Sequence, residues 1–181
     1  MKKQGSLPAI LLMITILTGC IGAGKTSQII DHGPQNFPGL IGIDLLGKQR
    51  QIPKTFAGKK NLIMIGFERA HQTPINSWIE VAQAIAAEKP DFHFYEMPTI
   101  DGLNSMWRLW INNGMRSGIA DQAARERTIT VYTDREKLTQ LLDMKMDQIY
   151  VMLLNQEGQI LWRAQGPTTP EKIAGLKTAL K

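Results

Sequence analysis

Hydrophobic and polar positions divide the chain into blocks of different period. Leu7 to Leu17 is apolar except for Thr15, and residues 21–36, IGAGKTSQIIDHGPQN, follow no period. From Phe37 the apolar positions become regular. LIGIDLLG (40–47) predicts a short strand closing in a glycine turn, and the unbroken apolar run NLIMIGF (61–67) predicts a central strand covered on both faces. Thr73-Pro74 supplies an N-cap hydroxyl and a proline at the first helical position. Behind it Ile75, Trp78, Ile79, Ala82, Ile85 and Ala86 recur at helical spacing until Pro90 stops the helix.

FHFYEM (92–97) predicts a second strand ended by Pro98, and SMWRLWINNGMR (105–116) a helix followed by a polar stretch. TITVY (128–132) reads as a strand, and DREKLTQLLDM (134–144) as a short helix with Leu138, Leu141 and Leu142 inward. IYVMLLN (149–155) turns through QEG into QILWRA (159–164), an antiparallel hairpin. A last helix opens at Thr169-Pro170 and lays Ile173, Leu176 and Leu180 on one side. The order strand, helix, strand, helix, hairpin, helix is an α/β layout, a mixed sheet flanked by helices on both faces. A chain of 181 residues allows one such domain, which we place at residues 37–181.

The irregular start contains LTGCIGAGKT (17–26), which parses in two ways. Gly19 to Thr26 fits the phosphate-binding pattern G-x-x-x-x-G-K-[ST], while Leu17-Thr18-Gly19-Cys20 fits the site at which bacterial lipoproteins are cut and acylated. A phosphate loop needs a buried strand before it and a substantial helix after it, and here Gly33-Pro34 leaves room for at most two turns. The second parse accounts for Lys2-Lys3, the short apolar run, small Gly19 and the position of the sole cysteine together. We therefore expect no nucleotide at Gly19–Thr26, a signal peptide over 1–19, and an acylated Cys20 with a flexible tether over 20–36. The resemblance to bacterial lipoproteins implies anchoring in the cell envelope outside the cytoplasm. Ile21 in place of Asp favours, in a Gram-negative host, the outer membrane facing the periplasm.

Composition changes this picture only slightly. The net charge of +5 falls to +3 once Lys2 and Lys3 are removed, with no run of like charges, so no nucleic-acid partner is expected. One cysteine cannot form an internal disulfide, and no C-x-x-C can be written.

FAGKKNLIMIGF followed by a helix, then YVMLLNQEGQILWRAQGPTTPEKIAGL, resembles the peroxiredoxin and thioredoxin superfamily in a cysteine-free form. More narrowly, NFPGLIGIDLLGK, QTPINSW (72–78) and LLNQEGQILWRAQG are similar to the family of the mitochondrial ATP synthase assembly factor with a thioredoxin-like domain. The resemblance implies a thioredoxin-like fold. It also shows what is missing. Aligned on Phe67, the dithiol position falls on Gln72-Thr73-Pro74-Ile75, and the place of the superfamily's cis-proline falls near Tyr150, where no proline stands. Neither Gln72 nor Ile75 supplies a thiolate, so thiol–disulfide exchange and Cys peroxidase activity are not expected, nor is any cofactor.

Three groups of residues remain as candidates. Glu68, Arg69 and His71 stand before a helix start and could form an acid–base or anion site, though a solvated helix cap is the simpler reading. His32 falls in the tether, and His93 alternates within a strand as a partly buried sheet residue. Met144-Lys145-Met146 offers two thioethers, which suit Cu(I). Trp107, Arg108 and Trp110 combine large aromatics with a cation on one helix, the chemistry of a partner-protein contact or of the headgroup layer; that both tryptophans roof the core is an equal reading. The expected function is a membrane-anchored, redox-inactive thioredoxin-like protein that binds partner proteins in assembly of a membrane complex. An enzyme using His71 with Glu68 or Arg69, and a Cu(I) carrier using Met144 and Met146, stay open beside it.

Overall fold

The computed structural model describes Ile29, Gly33 and residues 35–181; the expectations for the signal peptide, Gly19–Thr26, Cys20 and His32 lie outside these residues. Seven strands form one mixed sheet in the order β2-β1-β5-β4-β3-β6-β7. They are β1 (Leu40–Asp44), β2 (Gln49–Ile52), β3 (Lys60–Gly66), β4 (Phe92–Asp101), β5 (Ile129–Thr133), β6 (Tyr150–Asn155) and β7 (Ile160–Gln165). Strands β3, β4 and β5 run parallel at the centre, and the outer pairings are antiparallel. The helices are α1 (Gln72–Glu88), α2 (Ser105–Gly118), α3 (Gln122–Arg127), α4 (Arg135–Leu141) and α5 (Pro170–Ala179).

The period-two alternation of a strand explains the two cores. Leu62 and Met64 of β3 join Ile75, Trp78, Ala82 and Ile85 of α1 and Leu176 of α5. Ile63 and Ile65 point the other way, into a cluster with Phe37, Phe56, Leu138 and Leu142. Six consecutive residues from Asn61 to Gly66 are buried because both faces of β3 are covered, as its apolar run predicts. Trp78 is fully buried; its Nε1–H donates to the Gly166 carbonyl at 2.9 Å, and its ring meets Trp162 edge-on at 5.8 Å. Truncating an aromatic in such a position costs about 3–5 kcal/mol.

Several boundaries differ from the sequence expectations. Helix α1 begins at Gln72, so His71 and not Thr73 holds the cap position, and its side chain makes no capping bond. The close approach of β3 to the helix start sets this geometry: a Cβ on Gly66 would lie 3.0 Å from Ile75 Cδ1 and 3.3 Å from His71 Cβ. Strand β4 does not stop at Pro98. The proline pairs with Gly66 in the last register of β3 and β4, after which Thr99 to Asp101 pair with β5, so it falls where the strand changes partner. β2 and α3 have no counterpart in the expected elements. His93, at the second position of β4, is exposed and not partly buried; the core covers that face only from Tyr95 on. In the β6–β7 hairpin Gly158 has φ +88°, and a Cβ there would meet Pro53 Cγ at 2.4 Å, so the turn needs glycine.

Candidate functional site

The first place to look is the end of β3, where the resemblance puts a dithiol. Gln72 opens α1, and its Nε2–H donates to Glu96 Oε2 on β4 at 3.1 Å and to Asn76 Oδ1 at 3.0 Å. Burial pushes the Glu96 carboxyl above its ordinary range; the Gln72 bond and the Arg127 charge oppose this. Ile75 is buried in the core shared by α1 and β3. Gln72 is thus an amide clasp between α1 and β4, and Ile75 a packing residue. The only cis peptide bond among the described residues is Ile52–Pro53, away from Tyr150.

His71 does not stand as a solvated cap. It is 5% exposed, whereas Glu68 and Arg69 are exposed. The Phe67 N–H donates to its Nδ1 at 3.1 Å, which leaves Nε2 as the protonated nitrogen of the neutral ring. Glu68 Oε1 lies 3.2 Å from Nε2 without an aligned hydrogen bond, a loose electrostatic contact rather than a positioned acid–base pair. The histidine holds the β3–α1 turn. Beside it Arg135 ties the end of the sheet together: Nη1 donates to the Phe67 carbonyl at 3.2 Å, and Nη2 pairs with Asp101, whose carboxyl it holds below the usual range. Asp101, Thr133, Asp134, Arg135, Glu136 and Met146 line an open cleft of about 530 Å³ there.

The two thioethers part company in the same region. Met144 is buried against Leu138 and Leu142, while Met146 is exposed at the cleft. Among the described residues no group of three His, Cys, Asp or Glu side chains is placed to hold a metal ion.

Helix α2 is unlike every other long element, because it buries no residue. Asn104 caps it, accepting from the Trp107 N–H at 3.1 Å. Its inner side is held by polar groups: the Tyr132 hydroxyl contacts the Arg108 carbonyl at 3.2 Å and Asn112 Oδ1 at 2.9 Å. The Arg108 guanidinium lies 4.9 Å from the centre of the Tyr132 ring, and its Nε–H donates to the Leu103 carbonyl at 2.6 Å. Burial pushes the Tyr132 hydroxyl up to about 12, against the pull of Arg108, so this contact stays neutral through the ordinary pH range. Four apolar side chains face outward, while Ile111 and Met115 are half-buried: Met106 is 78% exposed, Trp110 70%, Leu109 62% and Trp107 55%. Trp107 and Trp110 touch edge-to-face at 6.0 Å, as residues three apart on a helix do. A large apolar patch in water is the unusual feature of this surface.

The expected contact residues are therefore together and exposed, with Arg108 turned beneath the helix. Met106 and Leu109, which belong to the same patch, were not singled out by the sequence reading, although they flank the tryptophans at helical spacing. Tyr132 and the Gln72–Glu96 clasp depend on long-range pairing and carry no local signal. The cap of α3 did carry one: Asp121 accepts from the Ala123 and Ala124 amides ahead of good helix formers.

Residues 29–181 match the family described as ATP10 protein. No curated protein matches the sequence. Among solved structures, a putative electron transfer protein from Aquifex aeolicus is 15% identical over 81% of this chain and 95% of its own, with a TM-score of 0.54. The thioredoxin domain of a thiol-disulfide oxidoreductase from Bacteroides vulgatus is 13% identical over 82% and 97%, with a TM-score of 0.53. BsSco, a member of the Sco family of cytochrome c oxidase assembly proteins, is 13% identical over 84% and 97%, with a TM-score of 0.52. At these identities the likeness is one of fold, and the fold is thioredoxin-like.

Proposed function

The chain belongs to the ATP10 protein family, and from that premise we propose that it is a redox-inactive, thioredoxin-like protein that binds partner proteins during assembly of a membrane complex. It works from the cell envelope, held there by an acylated Cys20. The family match and the sequence resemblance to an ATP synthase assembly factor support an assembly role. The absence of any cysteine other than Cys20 removes thiol chemistry from the domain.

The observation that carries the reading is α2. A helix held to the body through Tyr132 and turned with Met106, Trp107, Leu109 and Trp110 outward is a contact surface, and the residues are those that dominate contact energies. Partner capture depends on this face, with Trp107 and Trp110 at its centre and the expected contact residue Arg108 turned inward onto Tyr132, where it braces the helix. The buried, backbone-bonded His71 and the buried Met144 weigh against the enzymatic and copper readings.

Crosslinking in native membranes tests the proposal. Full-length chain should yield a defined set of membrane-complex subunits, and Trp107→Ala with Trp110→Ala should cut that yield at least roughly tenfold, the effect of losing two hot-spot aromatics. Both side chains are more than half exposed, so thermal stability should change by less than about 0.5 kcal/mol. Undiminished capture by the stable double variant would remove α2 from the function.

A further inference from the structure

We propose that the ridge formed by Met106, Trp107, Leu109 and Trp110 is seated in the headgroup layer of an anionic bilayer, so that the domain meets its partner from the membrane plane. This deepens the reading of α2 as the contact surface and rests on it; what is added is that the occupant of the ridge is lipid.

Shape is the first argument. The four side chains stand on the outer side of a helix that buries no residue, and so form a convex ridge. A protein partner would have to offer a matching groove, whereas the boundary between headgroups and acyl chains admits any small apolar wedge. Indole is the side chain that favours this boundary, with an apolar ring and a polar N–H. Extent is the second. The apolar part covers the first two turns, and the same outer side then continues with Asn113 and Ser117, a division that suits shallow immersion of one end.

Charge is the third argument. From Gly102 to Ala120 the sequence has Arg108 and Arg116 and no Asp or Glu. Arg116 is seven residues from Leu109 and shares its side of the helix, at the edge of the ridge, where an anionic headgroup would meet it. No helix among the described residues is long and apolar enough to cross the membrane, so immersion is confined to the interface.

The test needs no partner. Full-length chain is reconstituted on vesicles of phosphatidylethanolamine and phosphatidylglycerol, with and without bromine on the acyl chains, and indole emission is read on the vesicle-bound fraction. Trp78 is fully buried and Trp162 packs against it, so emission quenched by bromine comes from Trp107 and Trp110. The expected result is a blue shift and loss of most of that emission on brominated vesicles, with the quenched part gone in a Trp107→Phe, Trp110→Phe variant. Equal emission on both vesicles, with the chain fully bound, overturns the proposal. If crosslinked capture still falls in the Trp→Ala variants while bromine leaves the emission unchanged, the ridge sits directly in a protein groove. The lipid inference is then wrong and the assembly reading stands.

Discussion

Glu96 shows at the scale of one residue how the start of α1 is tied to the sheet. Its carboxyl is pushed above the usual range by burial, the largest cause, while Gln72 and Arg127 pull it down. A group whose folded pKa is raised lends stability below the ordinary carboxylate range and loses it as pH rises through the folded value. Glu96→Gln keeps an acceptor for the Gln72 amide and removes the half-buried charge. It should raise the melting temperature at neutral pH, with the advantage shrinking as pH falls into the acid range. A lower melting temperature at neutral pH would mean that Gln72 and Arg127 together outweigh burial. Sequence could mark Gln72 and Ile75 as non-thiol replacements, but the partner Glu96 lies on another strand, reached only by the parallel pairing of β3 with β4.

At the scale of elements, most of the sheet was legible because burial sets the period. Strand β3 is an apolar run because helices cover both of its faces, and β7 alternates because it lies at an edge of the sheet. What was not legible depends on pairing or on weak amphipathicity. β2 is a four-residue edge strand with three polar residues, defined by its ladder to β1. α2 was legible as a helix but not in its orientation, since an apolar face is ordinarily read as turned to the core. The Tyr132 hydroxyl meets the helix's inner side, beside Arg108 and the half-buried Ile111 and Met115. Tyr132→Phe keeps the ring under Arg108 and removes the two hydroxyl contacts, at a cost of about 1 kcal/mol. Hydrogen exchange should then quicken in the α2 amides, while β3 and β4 stay protected. Unchanged protection of α2 would show that the hydroxyl does not hold it.

The whole molecule separates a rigid body from a working edge. Two cores packed on either face of the sheet fix the end of β3, beside which His71 and Ile75 are buried and Gln72 is exposed. Among the described residues there is no thiol, and the most exposed large apolar side chains lie on α2. An assembly role therefore depends on contact being made at α2 and not at the start of α1. Photo-crosslinking residues placed one at a time at Gln72 and at Trp110 of the full-length chain, in the membranes where it resides, compare the two directly. Adducts with lipid and with membrane-complex subunits beside it are expected from position 110, and few or none from position 72. The reverse pattern, with adducts concentrated at position 72 and absent at 110, would contradict it.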